Sequence, residues 1–197
     1  MKGTAMKVIA LNGSPKKNGN TALLLNTVCE VFQEEGIETS IIHLPPLKLQ
    51  PCTGCFKCRK TKDGKCHGVT DDTLNDVLAQ VIEAEGMLIG SPVWFSNVTG
   101  HVKNFIDRAG MVVRMNDHLL SRKVGAAVVA VRRAGGIPTF DAINHFFHIS
   151  GVVVPGSHYW NVGVGGGPGE CRDDAEGIET MRVLGRNMAW VLKKLNA

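Results

Sequence analysis

Short unbroken apolar runs alternate along this chain with longer stretches in which apolar residues recur every three or four positions. Lys7–Asn12 (KVIALN), Glu38–His43, Gly86–Gly90 (GMLIG), Val124–Val131 and Val152–Pro155 have strand length. A helix predicted from about Thr21 gathers Leu25, Val28, Cys29 and Phe32 on one face, and Asp71–Ala84 carries Leu74, Val77, Leu78, Val81 and Ile82 at helical spacing. Asp71 and Asp72 stand where a helix N-terminus favours negative charge. A third helix follows SPVWFSNVTG, with Thr99 as its expected cap and Val102, Phe105 and Ile106 on one side. Thr139–Ser150 and Ala175–Leu195 complete the set; the latter sets Ile178, Met181, Leu184, Met188, Val191 and Leu195 inward.

Strands too apolar to have a wet face, separated by amphipathic helices, predict a doubly wound α/β architecture, a parallel sheet covered on both sides. Five strands suit the flavodoxin-like order 2-1-3-4-5, with one domain over residues 1–197 and a cysteine-rich loop at residues 51–67. Ligands of such sheets bind beyond the carboxyl ends of the strands, where the strand order reverses. Three loops belong to that edge: GSPKKNGN, SPVWFSNVTG and RRAGGIP. Ser157–Arg172 is glycine-rich and reads as an irregular surface loop or interface arm rather than a fold element.

The loop Gly13–Asn20 brings Ser14, Asn18, Asn20 and Thr21 to the start of a helix, whose free N–H groups and partial positive charge suit a phosphate. It has neither G-x4-G-K-[ST] nor G-x-G-x-x-G, which favours a mononucleotide over ATP or a Rossmann-bound NAD. Trp94 and Phe95, in a loop at the same edge, offer a stacking surface or else seal the loop onto the core or a subunit interface. The Lys103–Asp107 pair reads as helix support, and His145 with His148 lacks an evident third metal ligand.

Composition narrows the classes further. The net charge of +4 is a mild imbalance, and without a dedicated motif it argues against nucleic-acid binding. The apolar runs fall far short of the ~20 residues a membrane-spanning helix requires, so no membrane association and a soluble, cytoplasmic protein are expected. Cys52, Cys55, Cys58 and Cys66 have the compact spacing of a thiolate-held iron–sulfur centre, whose bacterial form also opens with three cysteines two residues apart. A structural zinc and free thiols are the alternatives; a disulfide framework does not suit a chain that shows no secretory signal. Lys57, Arg59, Lys60, Lys62 and Lys65 give the loop a positive patch, either a solvated surface or a dock for an acidic electron-transfer protein or an anionic cofactor.

LNGSPKKNGNT, GSPVWFSNVTGHVKNFIDRAG, PCTGCFKCRKTKDGKC and the late segment GGGPGECRDDAEGIETMRVLGRNMA together resemble the NADPH-dependent FMN reductase superfamily, and within it the iron–sulfur flavoproteins, over nearly the whole chain. The resemblance implies that Ser14, Asn18, Asn20 and Thr21 hold the FMN phosphate. It further implies that Pro92, Val93, Trp94, Phe95 and Asn97 lie against the isoalloxazine ring, while Ala134, Gly135 and Gly136 approach its far edge. Cys52, Cys55, Cys58 and Cys66 would hold a 4Fe-4S cluster. Trp94 stands where a tyrosine is common in that family.

The expected activity is an FMN-dependent oxidoreductase, with no catalytic side chain to name because the flavin carries the chemistry. NAD(P)H as co-substrate or a ferredoxin-like protein would supply electrons, and a small-molecule acceptor such as a quinone, an oxygen species or free flavin would take them. The resemblance also implies a homodimer or homotetramer. A flavodoxin-type carrier without its own substrate and a zinc-stabilised α/β domain are the rival classes; the basic pI of about 8.8 speaks against the first.

Overall fold

The computed structural model describes residues 6–197; of the domain expected over 1–197, the first five residues lie outside the described residues. Five parallel strands, β1 (Lys7–Asn12), β2 (Glu38–His43), β3 (Gly86–Pro92), β4 (Val124–Val131) and β5 (Val162–Val164), form one sheet in the order β2-β1-β3-β4-β5. Between them run α1 (Asn20–Glu34), α2 (Lys57–Thr61), α3 (Leu74–Glu83), α4 (Gly100–Met115) and α5 (Gly136–Ile149), and α6 (Ala175–Leu195) closes the chain.

The period-two alternation of the central strands divides the core into two layers. Ile9, Leu11, Met87, Ile89, Ala127 and Val129 face one side, where they are buried with residues of α3, α4 and α5. Val8, Ala10, Leu88, Ala126 and Val128 face the other, against α1 and α6. Strand β4 is buried along its whole length, as a strand covered on both faces must be. On α6, Met181, Leu184, Met188, Ala189 and Leu192 are fully buried, whereas Leu195, expected inward, is half-exposed at the frayed end.

The fifth strand is not the one expected. Val152–Pro155 contributes only an isolated bridge, Val153 to Val124, while Val162–Val164 pairs with Val129–Val131. Pro155 has no N–H to continue the ladder, and the chain leaves the sheet there. Asn161 bridges the interruption: its backbone carbonyl accepts from Val129 N (3.0 Å) and its Nδ2 donates to Ala127 O (3.0 Å). Ser157–Arg172 is therefore partly a fold element, with a projecting segment that carries the exposed Tyr159 and Trp160.

Two helix starts also differ. Helix α5 begins at Gly136 rather than Thr139, because Pro138 is tolerated within a first turn. Helix α3 begins at Leu74, and Asp71 and Asp72 precede it: Asp72 Oδ1 accepts from Leu74 N (3.2 Å), Asp72 Oδ2 from Gln50 N (2.9 Å), and Asp71 Oδ1 from Gln50 Nε2 (2.8 Å). The two aspartates thus anchor the entry to the cysteine loop instead of lying inside the helix. Among the described residues, no helix is long and apolar enough to cross a membrane.

Candidate functional site

At the carboxyl ends of β1, β3 and β4 lies a cleft of about 270 Å³ lined by Ser14, Pro15, Lys16, Gly19, Asn20, Thr21, Pro92, Val93, Trp94, Ala130, Arg132 and Gly165–Pro168. Its floor is set by the turn after β1. Gly13 N donates to Gly90 O (2.9 Å), and Thr99 Oγ1 donates to Gly13 O (2.8 Å) while accepting from Val102 N (3.4 Å) as the cap of α4. Ser91 Oγ accepts from Thr99 N (3.1 Å), so the turn, β3 and the start of α4 form one buried polar knot. Asn12 Oδ1 accepts from Ser14 N (3.0 Å), and His43 Nε2 donates to Ser14 O (2.7 Å), which holds the loop from the β2 side.

The residues present fit a phosphate group. Helix α1 opens with Gly19 at its cap and no side chain satisfying the first-turn N–H groups, which leaves them free for an anion. Thr21 Oγ1 is buried without a hydrogen-bond partner at the same helix end, a costly state for a hydroxyl unless a ligand completes it. Lys16 and Arg132 supply positive charge at the rim.

Six of the residues expected in a cofactor site converge here: Ser14, Asn20, Thr21, Pro92, Val93 and Trp94. The side chain of Asn20 is engaged with protein: Nδ2 donates to Gly165 O (3.2 Å) and Gly167 O (2.9 Å), and Oδ1 accepts from Cys171 N (3.4 Å). It fastens the glycine loop Gly165–Gly167 over the cleft, and a Cβ at Gly165 would lie 2.6 Å from Cys171 N. Glu170 braces the same loop by accepting from Gly166 N (2.8 Å) and Gly167 N (2.6 Å), bonds that hold its carboxyl below the usual range. Asn18 lies apart, in an adjoining groove with Asn26, Arg172 and Arg182.

Trp94 to Asn97 is a tight turn, with Trp94 N donating to Asn97 O (2.9 Å) and Asn97 N to Trp94 O (3.0 Å). Phe95 (φ 48°) and Ser96 (φ 56°) are both left-handed, the pattern of a type I′ turn. Trp94 reaches the cleft wall, but Phe95 at the tip is fully exposed and Asn97 uses Oδ1 on Val98 N (2.8 Å). Ala134, Gly135 and Gly136 do not line the cleft. Gly135 (φ 84°) backs the turn so closely that a Cβ would meet Ser96 Cα and Val93 Cγ1 at 2.9 Å. Lys16 and Arg132 lie in loops expected at this edge but carry no expected role of their own, and the glycine-rich segment, expected as a surface loop or interface arm, instead lines the cleft through Gly165–Gly167.

The four clustered cysteines line a second, small concavity together with Gly68, Val69, Arg108, Met111 and Val112. Their loop is held by polar side chains of α3 and α4. Asn75 exchanges two hydrogen bonds with the backbone of Cys66 (2.8 and 3.1 Å), Asn104 Nδ2 donates to Leu49 O (2.7 Å), and Asn116 Nδ2 donates to Cys58 O (3.3 Å). The short helix α2, which the sequence reading did not include, carries Cys58 on its buried side.

Thiolate character differs among these cysteines. The Lys57 backbone and the Thr53 hydroxyl pull the exposed Cys55 thiol below its usual value. Burial resists ionisation of Cys66, yet the Val69 backbone, Arg108 and the Gly68 backbone outweigh it and lower its value. Burial pushes Cys58 up. The remaining two, Cys29 and Cys171, lie in the core, where burial raises each to about 11. In metal-free protein, iodoacetamide at neutral pH is therefore expected to modify Cys55 readily and to spare Cys29 and Cys171 until unfolding, as read by peptide mass spectrometry.

A thiolate-held centre fits this donor set. Gly68 forms part of its cradle, since a Cβ there would lie 2.6 Å from Cys55 Sγ. Among the described residues, no three His, Cys, Asp or Glu side chains converge on one point in the manner of a single-ion site.

Comparisons with known proteins bear on the family and the fold. The family model described as NADPH-dependent FMN reductase matches residues 6–166. An iron–sulfur flavoprotein of Methanocaldococcus jannaschii is 39% identical over 194 residues, covering 95% of this chain and 98% of the relative. An iron–sulfur flavoprotein of Methanosarcina thermophila is 29% identical, covering 95% of this chain and 96% of its own length. Among solved structures, RosB with bound 8-demethyl-8-formylriboflavin-5′-phosphate superposes with a TM-score of 0.74 at 17% identity, covering 97% of this chain and 80% of that one. A WrbA-like flavodoxin of Agrobacterium tumefaciens gives 0.67 at 13% identity, covering 97% and 99%. The structural likenesses speak for the fold, and the sequence matches for the family: the chain belongs to the NADPH-dependent FMN reductase family, in its iron–sulfur flavoprotein subgroup.

Proposed function

We propose that this FMN-dependent oxidoreductase holds a 4Fe-4S cluster on Cys52, Cys55, Cys58 and Cys66, and moves electrons between a reduced donor, FMN and a small-molecule acceptor. One observation carries the reading: helix α4 serves both sites. Its cap Thr99 fastens the turn under the mononucleotide cleft, and Arg108, Met111 and Val112, about two and a half to three and a half turns further on, line the cysteine concavity.

When bound, FMN supplies two-electron chemistry and the cluster one-electron chemistry. The residues of the chain supply position. Ser14, Thr21 and the N–H groups opening α1 would hold the phosphate, with Lys16 and Arg132 balancing its charge. Pro92, Val93 and Trp94 would lie along the ring, with Gly135 supporting their turn. Asn20 keeps the glycine loop closed over the cleft and limits entry of water. The exposed Lys57, Arg59, Lys60, Lys62 and Lys65 beside the cysteines suit an acidic donor protein such as a ferredoxin.

Anaerobic mixing with NADPH, NADH or reduced ferredoxin tests the donor side. Bleaching of the flavin band by at least one, followed by recovery on adding a quinone, is the expected result; protein containing FMN that none of the three reduces contradicts the reading.

Thr21→Val should separate ligand binding from folding. Removing an unpartnered buried hydroxyl relieves a penalty of roughly 1–3 kcal/mol, so apoprotein should melt at a higher temperature, while losing a hydrogen bond to a charged phosphate costs roughly 1.5–3 kcal/mol. FMN affinity should fall by about tenfold or more, measured by quenching of flavin fluorescence.

A further inference from the structure

Among the described residues, Arg108 is the largest fully buried side chain, with 1% of its surface exposed, on a helix whose other charged residues are more accessible. Its guanidinium grips both stems of the cysteine loop. Nη1 donates to Gln50 O (3.3 Å), ahead of Cys52, and Nη2 donates to Val69 O (3.1 Å), just past Cys66. Nη1 also pairs with the buried Asp72 carboxylate. Nε is left without a hydrogen-bond partner although it is buried, and Arg108 lines the cysteine concavity while Asp72 does not.

A buried ion pair that served only to tie the loop would be expected to satisfy every donor, since an unpaired one is costly. The pair here is lopsided. Its anionic half also accepts from Gln50 N and Leu74 N, whereas its cationic half lines the thiol-lined space and has one donor without a partner. Charge and hydrogen bonds close to the sulfurs are what set the potential of a thiolate-held cluster, and a charge sealed from solvent acts more strongly than one at the surface.

We infer that Arg108 is a positioning residue for the cysteine centre, which clasps the loop and, as a sealed cation beside it, favours the more negative, one-electron-reduced state of the cluster. This rests on the cluster reading above. It predicts shifts of opposite sign from the two halves of one ion pair, which a purely structural clasp would not produce. Arg108→Gln removes the cation and should lower the cluster midpoint potential; Asp72→Asn leaves the cation unbalanced and should raise it. Arg108→Lys keeps the charge without the fork and should stay near wild type.

The test is a dithionite titration of the anaerobic holoproteins with mediator dyes, followed by electron paramagnetic resonance. A change of about tenfold in the one-electron equilibrium, equivalent to about 59 mV, is expected for Arg108→Gln and Asp72→Asn. If Arg108→Gln fails to assemble a cluster, the upward shift of Asp72→Asn and the wild-type potential of Arg108→Lys still decide the matter. Shifts of the same sign, unmoved potentials, or loss of the cluster from all three variants overturn the role of Arg108. Wild-type protein without iron and sulfide overturns instead the cluster reading on which it rests.

Discussion

Replacing Gly13 with alanine should weaken FMN binding at least about tenfold while leaving the cysteine loop intact. A Cβ at Gly13 would lie 2.0 Å from Val102 Cγ2, 3.0 Å from Gly90 O and 3.3 Å from Thr99 Oγ1. None of the three can withdraw cheaply. Val102 is fully buried in the first turn of α4, Gly90 O is backbone of β3 and accepts from Gly13 N, and Thr99 Oγ1 is committed to Gly13 O and Val102 N. Overpacking of this kind costs roughly 1–3 kcal/mol. Gly13 opens the loop proposed to hold the phosphate, so part of the displacement should fall on that loop. FMN affinity should drop at least about tenfold, and the apoprotein should melt earlier. Gly100→Ala makes the same chemical change at the start of α4, where nothing lies within 4 Å, and should leave affinity unchanged. Equal losses at both glycines would refute the steric account.

The second large effect is confined to the other site. Cys55 is exposed and donates no packing to the core, so Cys55→Ser should leave the fold and the FMN cleft undisturbed. A serine oxygen is a poor replacement for a thiolate at iron. The cluster absorbance and the iron and sulfide content should be lost, with one FMN retained per chain. Loss of both centres together would mean that the sites are structurally dependent, and loss of neither would remove Cys55 from the ligand set.

The contrast between these sites explains what the sequence could and could not reveal. Strands β1, β2 and β4 and helix α6 have the bounds their hydrophobic patterns predict: burial on both faces leaves little freedom in β1 and β4 and a single apolar stripe little in α6, whereas β2 is a part-exposed edge strand held by its pairing with β1. Strand β5 has only Val162–Val164, partly exposed, and its place depends on Asn161 bonding to the edge of β4. Val152–Pro155 has the stronger local pattern, but the geometry of Pro155 prevails.

Local pattern also sets Ser14, Thr21, Pro92, Val93 and Trp94 at one sheet edge, since all lie at or just beyond the carboxyl ends of strands β1 and β3, Thr21 in the first turn of the helix that follows β1. The engagement of Asn20 with Gly165 and Gly167 was not legible, because its partners lie 145 and 147 residues away. Arg108 was hidden for the same reason. A charged residue on an amphipathic helix ordinarily reads as solvated, and only the arrival of Asp72, 36 residues earlier in the chain, makes its burial tolerable.

The account stands on two centres in one chain, and anaerobic purification followed by a visible spectrum with FMN, iron and acid-labile sulfide assays tests that most directly. It predicts flavin bands over a broad cluster absorbance, with one FMN, about four iron and about four sulfide per chain. Flavin without iron would remove the cluster and leave the reductase; a colourless protein containing zinc and no flavin would contradict the account as a whole.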